Sequence, residues 1–278
     1  VSILNVATTH LTTGSTVTGT AGGIVANDLA INAGGAVNMT DASSNVDNLA
    51  VAAAGFDVTF TEADGFEVDT VDGVTGITGA AITLTTGGDL GIVEAITATG
   101  NVINTAAGSI TQNAAIDVAT SGGSITYLAD SDNSGTGAVT MGADAGIETA
   151  GTAGANISLT AGTAANGGQD ITLADVDAGT DGNVTVQTFA GSIRDDGRDS
   201  STITGDTITL TAAGDVGGTA AFTIAGSKSE ALEITVTGLT GITSTATAGH
   251  NQLMVVDSAL LDVEDMLSGL AGTGMTGG

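Results

Sequence analysis

The 278-residue sequence has no Cys, no Pro and no Trp, and only three basic residues stand against 31 acidic ones. Each absence excludes something. Without Cys there is neither a disulfide framework nor a thiolate metal site. With one Tyr and five Phe, the chain lacks the rings around which compact immunoglobulin-like or enzyme domains of this length build their cores. The only Lys and Arg are Lys228, Arg194 and Arg198, and the net charge is −28. That balance excludes a basic patch, so neither nucleic acid nor an anionic membrane surface is expected as a partner. No run of 18 apolar residues exists, so no membrane insertion through a helix is expected.

What is present points to a particular kind of fold. At 41% apolar the chain is too hydrophobic for a disordered acidic tail. Its 44 Gly follow no three-residue period, which excludes collagen. Thr is the marked excess, with 47 residues, and β-branched side chains favour strands. Of the acids, 24 are Asp and seven Glu, so the charge belongs mostly to turns. The chain begins at Val1 inside an apolar stretch and is expected to be processed or, preferably, a segment of something longer.

Short runs of aliphatic, Thr, aliphatic and small residues recur throughout: Ile82 to Thr85, Ile125 to Leu128, Val139 to Met141, Ile157 to Thr160, Ile171 to Ala174, Val184 to Gln187, Ile208 to Thr211 and Ile234 to Thr237. A period of two puts the aliphatics on one face and Thr on the other. Gly-Gly, Asp-Gly, Ala-Gly and Asn-Gly corners separate the runs.

Longer strings repeat as well. Ile82 to Gly91 matches Ile208 to Gly217 without a gap, and Gly100-Asn-Val102 with Ala107-Gly-Ser-Ile110 recurs as Gly182-Asn-Val184 with Ala190-Gly-Ser-Ile193. Gly73 to Thr78 matches Gly238 to Thr243. Leu29 and Leu49 lie 20 residues apart, Val37 and Val58 lie 21 apart, and Ile125 and Ile157, like Val139 and Ile171, lie 32 apart. Coils of unequal length fit these spacings better than one strict period.

A four-residue strand cannot offset the cost of ordering itself, roughly 1–2 kcal/mol per residue in backbone entropy. Stacking in parallel at about 4.8 Å solves this by building continuous aliphatic columns. Pro would remove a ladder donor wherever it occurred, which explains its absence. The expected fold is therefore an all-β, single-stranded parallel β-helix, or β-solenoid, with irregular coil lengths. Antiparallel sandwiches compete less well, because the aromatic core they need is missing. The rod is expected over residues 1–254, with Ile3 to Val6 and Ser15 to Thr18 as strands already and no obvious N-terminal cap. Residues 255–278 are expected to form a C-terminal cap and a Gly-rich tail that contacts the next subunit. Within it, Leu260, Val263 and Leu267 predict a short helix in Ser258 to Gly269, and the alternative is an extra strand from Leu253 to Leu261.

The unit at 208–217 and the unit at 182–193 resemble the repeats of filamentous-haemagglutinin-like bacterial surface proteins, over roughly residues 28 to 243. The resemblance implies a right-handed parallel β-helix, an extracellular or cell-surface location and a role in adhesion or fibre building. That family's secretion domain carries an Asn-Pro motif, and this chain has no Pro. The chain is therefore expected to be a rod segment, and the resemblance brings no catalytic residues with it.

Candidate chemistry is sparse. Asp130, Asp132 and Ser134 place oxygens at alternate positions before Gly135, and Asp175, Asp177 and Asp181 surround Gly179; both loops are candidates for calcium, with plain Asx turns as the alternative. Asp195 and Asp196 between Arg194 and Arg198 form the only place where paired carboxylates meet bases. The stretch from Arg194 to Asp199 reads as a solvated, internally paired turn. His10 and His250 read as surface or corner residues. The Thr-x-Thr pairs at 83/85, 209/211 and 235/237 resemble those of flat ice-binding solenoids, but Ser, Ala, Gln or Met often replaces one member, and they read as outward β-formers. Asn38, Asn156 and Asn183 begin Asn-x-Ser/Thr strings of the kind that chance supplies in a Thr-rich chain.

The expected function is non-enzymatic: an extracellular structural rod of a fibre, filament or adhesin shaft, forming a homopolymer head to tail or continuing into further repeats. The alternative is an adhesin segment that binds a host or surface glycan, with calcium.

Overall fold

The computed structural model describes residues 3–150, 154–164, 167–198, 200–217, 232–236, 242–246 and 253–257. Among them every regular element is a strand, and they stack as a parallel β-solenoid. One sheet is ten strands deep and the other contains 17. Nine steps of about 4.8 Å make the ten-stranded sheet roughly 43 Å long.

The spacings read from the sequence are ladder partners. Leu29 pairs with Leu49, Val37 with Val58, Ile125 with Ile157 and Val139 with Ile171. Successive coils of the ten-stranded sheet advance by as few as 20 residues, from Val17 to Val37, and by as many as 34, from Ile208 to Ile242. Extra length is placed in corners: the 32 residues from Ile125 to Ile157 include the non-strand segment 130–138.

Burial alternates along the five-residue strands of the ten-stranded sheet: Ile82–Thr86, Ile125–Ala129, Ile157–Ala161 and Ile208–Ala212 all bury their first, third and fifth residues and leave the other two half-buried. Val58, Ile82, Val102, Ile125 and Ile157 thus form one fully buried column, each such side chain contributing about 1.5–3 kcal/mol by burial. The next column carries larger groups, Phe60, Leu84 and Tyr127 among them. Gln112 holds Tyr127 in this core: its Nε2 donates to the carbonyls of Ile116 at 2.6 Å and Gly146 at 2.8 Å, and its Oε1 accepts from the Tyr127 hydroxyl at 3.0 Å. Burial pushes the phenol pKa up.

The cross-section changes along the rod. The first coils use long strands, Ile3–Thr13, Ile24–Ala33 and Asn45–Ala52. The third of these is the branch point. Its Leu49 pairs with Val68 in Gly65–Val68, while its Val51 pairs with Ile77 in Ile77–Gly79. From there on, the larger sheet runs as two separate columns of short strands.

The chain between those two short strands leaves the ladder as the antiparallel hairpin Thr70–Val71 with Val74–Thr75. Asp72 and Gly73 turn it with φ of 46° and 82°, the two positive angles that a type I′ hairpin demands. The hairpin lies over the outer side of the long strands, where Val71 and Val74 pack on Ala30 and Ala50. His10, the register partner of Ala30, meets Asp72 through Nδ1 and Oδ2 at 2.6 Å.

The expected fold holds, with local corrections. The first strand runs Ile3–Thr13, well beyond Val6, because charge-free Thr-rich residues continue its pairing. The likeness of Gly73–Thr78 to Gly238–Thr243 is not structural: Ile77 lies in the larger sheet and Ile242 in the smaller. Leu253–Asp257 is a strand paired to Leu232–Val236, so the ladder extends to Asp257. The helix expected in Ser258 to Gly269, the tail, Lys228, His250 and Asp199 lie outside the described residues.

Candidate functional site

The corners explain the Gly-polar-aliphatic triplets. At the entry to the ten-stranded sheet, Asn101 Oδ1 accepts from the Ser124 amide at 2.9 Å, Ser124 Oγ from Asn156 at 3.0 Å, and Asn156 Oδ1 from Asn183 at 2.9 Å. A second corner repeats the device, with Asp89 Oδ1 accepting from Ser109 at 2.7 Å and Ser192 Oγ from Asp215 at 3.0 Å. Each polar side chain thus satisfies a backbone N–H of the coil above it, for a net gain of about 0.5–1.5 kcal/mol. Stacking is so close that a Cβ on Gly123 would collide with the main chain of Gly100 and Asn101. The recurring Gly-Asn-Val and Gly-Ser-Ile strings were the signal for this ladder.

The candidate calcium residues are spread over several such corners. Asp130 is fully buried with φ of 52°. Its carboxylate accepts from Ser134 Oγ at 2.9 Å, from the Gly135 amide at 3.0 Å and from the Gly168 amide. Burial raises its pKa, but these donors outweigh burial and hold it below the ordinary carboxylate value. Asp132 Oδ1 accepts from the Ser134 amide at 3.1 Å. The loop therefore uses Asp130 to join two neighbouring coils, and uses Asp132 as an Asx turn.

Asp175 Oδ1 caps the Thr202 amide at 2.8 Å, and Asp177 Oδ1 accepts from Gly179 at 2.7 Å; Asp181 is exposed nearby. The ladder also sets Gly146 between Asp117 and Asp175, and Asp177 beside Glu148. Partial burial, then the charges of Asp117, Asp177 and Asp175, raise the Glu148 pKa. Among the described residues no three His, Asp or Glu side chains are grouped so as to hold a metal ion.

The stretch from Arg194 is corrected. Its cations do not pair within the turn: Arg194 Nε meets Asp170 at 2.6 Å on the neighbouring coil, and Arg198 Nη1 meets Asp144 at 2.7 Å two coils away. Asp195 accepts from the Gly197 amide at 2.7 Å, and Asp196 from the Arg198 amide at 3.0 Å. Burial, and after it the charge of Asp196, push the Asp195 pKa up to about 6.

Three surface features stand out. An open groove of about 710 Å³ crosses the larger sheet, lined by Asp47, Asp64, Glu67 and Asp89 beside Gly65 and Gly91. A cavity of about 330 Å³ lies at the first coil, lined by Leu11, Val17, Gly19, Ile24 and Met39 among others. The third feature is the outer face of the ten-stranded sheet. Its register is unbroken: Thr59 pairs with Thr83, Thr83 with Ile103, Ile103 with Thr126, and so on through Ser158 and Thr185 to Thr209. A second outward column, two residues further along each strand, runs from Thr61 and Thr85 through Thr105, Leu128, Thr160 and Gln187 to Thr211.

Compared with protein-family models, curated proteins and solved structures, the chain matches none.

Proposed function

We propose that this chain is a structural rod, a β-solenoid that extends end to end to build an extracellular fibre, filament or adhesin shaft. The observation that supports this is the first coil. Among the described residues, Ile3–Thr13 pairs only with Ile24–Ala33, so one edge of an 11-residue strand presents unpaired N–H and C=O groups. It has none of the Pro or Lys residues that guard natural edges. Beside that edge, the cavity lined by Leu11, Val17, Ile24 and Met39 exposes apolar surface. One further coil, supplied by a second copy or by chain that precedes Val1, would satisfy both. In this reading the filamentous-haemagglutinin-like character of the 182–193 and 208–217 units is part of the proposal, as is the extracellular location.

A non-enzymatic role accords with the acid–base pairs, because both arginines near Asp195 and Asp196 are bound to other carboxylates. Glycan recognition has less support. The acidic groove has Phe66 as its one aromatic lining residue, and Phe66 is buried. Sedimentation velocity over a concentration series, with electron microscopy of the same samples, tests the rod. Species that grow beyond 26.5 kDa into filaments are expected, and Thr12→Pro, which removes an edge donor because the neighbouring Thr13 carbonyl accepts from Gly34 on the paired side, is expected to shorten them. A single 26.5 kDa species at every concentration would contradict end-to-end assembly.

A further inference from the structure

The outer face of the ten-stranded sheet has a composition that folding alone does not require. Its two columns between Thr18 and Thr211 hold Thr at most positions and carry no Asp, Glu, Lys or Arg, in a chain with 31 acidic residues. Among the described residues, no hydroxyl of Thr59, Thr61, Thr83, Thr85, Thr209 or Thr211 bonds another protein group. Thr86, Thr120 and Thr188, by contrast, spend theirs on Glu62 Oε2, the Gly100 carbonyl and the Gln169 carbonyl. The face is thus mostly an array of Thr methyl and hydroxyl groups, interrupted at Asn38, Ile103, Leu128 and Gln187.

Its geometry is regular in two directions. Along the rod the groups repeat at about 4.8 Å, and across each strand two residues span roughly 6.6–6.8 Å. Thr is stiff at χ1, so the array is ordered before anything binds and little side-chain entropy is lost on contact. No bulge interrupts the ladder, and the residues that lengthen the coils sit in corners, away from the face. The rows of oxygen atoms in ice repeat at spacings close to these two. A charge would orient water radially around itself and break such an order, and this face has none.

We propose that this face binds ice, or an ice-like layer of ordered water, as its ligand. Other occupants fit less well. A crystalline polysaccharide is held by stacking on aromatic rings, and both columns lack Phe, Tyr and Trp between Thr18 and Thr211. A second copy would have to leave these hydroxyls without water or find partners for them. The inference does not depend on end-to-end assembly.

Partition of the full chain into slowly grown ice, read beside inhibition of ice recrystallisation, tests it. The wild type is expected to enter the ice, and Thr83→Lys with Thr209→Lys is expected to lower its enrichment roughly tenfold. Thr111→Lys with Thr140→Lys, on the larger sheet, should leave the enrichment unchanged, with folding of both variants checked by thermal melts. If the first pair fails to fold, Thr83→Val with Thr209→Val is used, and a smaller loss is expected. Exclusion of the wild type from ice, equal loss in both variant pairs, or dimerisation through this face that Thr83→Lys abolishes would each overturn the proposal.

Discussion

The two outer surfaces of this solenoid rest on the same interior. Behind the ten-stranded face lie Ile82, Val102 and Ile125; behind the larger sheet lie Ile96, Val118 and Ile147, and all six are fully buried. Outside, the two diverge. One column of the larger sheet carries Asp28, Glu67 and Arg194, and the other carries Glu148 and Asp177. The ten-stranded face carries no charge in its two columns. Strand formation and burial are satisfied equally on both sides, so the difference belongs to what the outside meets. A solenoid separates the two demands, because inward columns specify the fold and outward columns are free to differ.

That comparison can be broken first at its premise. Ile82→Ala and Ile96→Ala should each cost about 2–4 kcal/mol in urea unfolding; values differing by more than twofold would show that the two interiors are not equivalent. The corners come next. Asn101→Ala, at the entry to the Thr face, and Asp89→Ala, at the other sheet, should each lose about 1 kcal/mol, and a loss at only one of them would place the stacking energy on one side.

Titration separates the surfaces further. The folded-state pKa of Asp195, about 6, lies above its ordinary value of 3.8. Its effect therefore favours the folded state below pH 3.8, and that advantage is lost as pH rises towards 6. Asp195→Asn should raise the melting temperature at pH 8 and leave it unchanged at pH 3. Asp130 acts in the opposite sense, since its lowered pKa stabilises the fold above 3.8 and ceases to do so as pH falls below that value. Removing it with Asp130→Asn should be felt most near neutrality. The smallest effect is expected on the Thr face: Thr83→Val and Thr209→Val should stay within about 0.5 kcal/mol of wild type, with an unchanged pH profile. A larger loss would mean that these hydroxyls serve the fold after all.

Much of the architecture was legible because inward aliphatics repeat. The distances from Leu29 to Leu49 and from Ile125 to Ile157 are ladder spacings read directly from the chain. Gly73–Thr78 misled because a Gly-aliphatic-Thr string marks entry to a strand and says nothing about which sheet receives it. The arginine turn misled for a similar reason: Asp170 and Asp144 stand 24 and 54 residues from Arg194 and Arg198, and only stacking brings them near. The Thr-x-Thr pairs at 83/85 and 209/211 were visible, but the replacements at Ile103, Leu128 and Gln187 hid their alignment, and Thr235 belongs to the larger sheet instead. Register restores it, because each replacement occupies a lattice position and displaces none.

The alignment of that face is the claim on which the rest depends, and a chain without Cys allows a direct measurement. Spin labels at Thr83→Cys and Thr209→Cys are separated by five ladder steps, through Ile103, Thr126, Ser158 and Thr185. Electron–electron resonance should give one narrow distance distribution near 24 Å, widened only by the label arms, at ~4.8 Å per step. A broad distribution, or one centred beyond about twice that distance, would contradict a common face built from coils stacked in register.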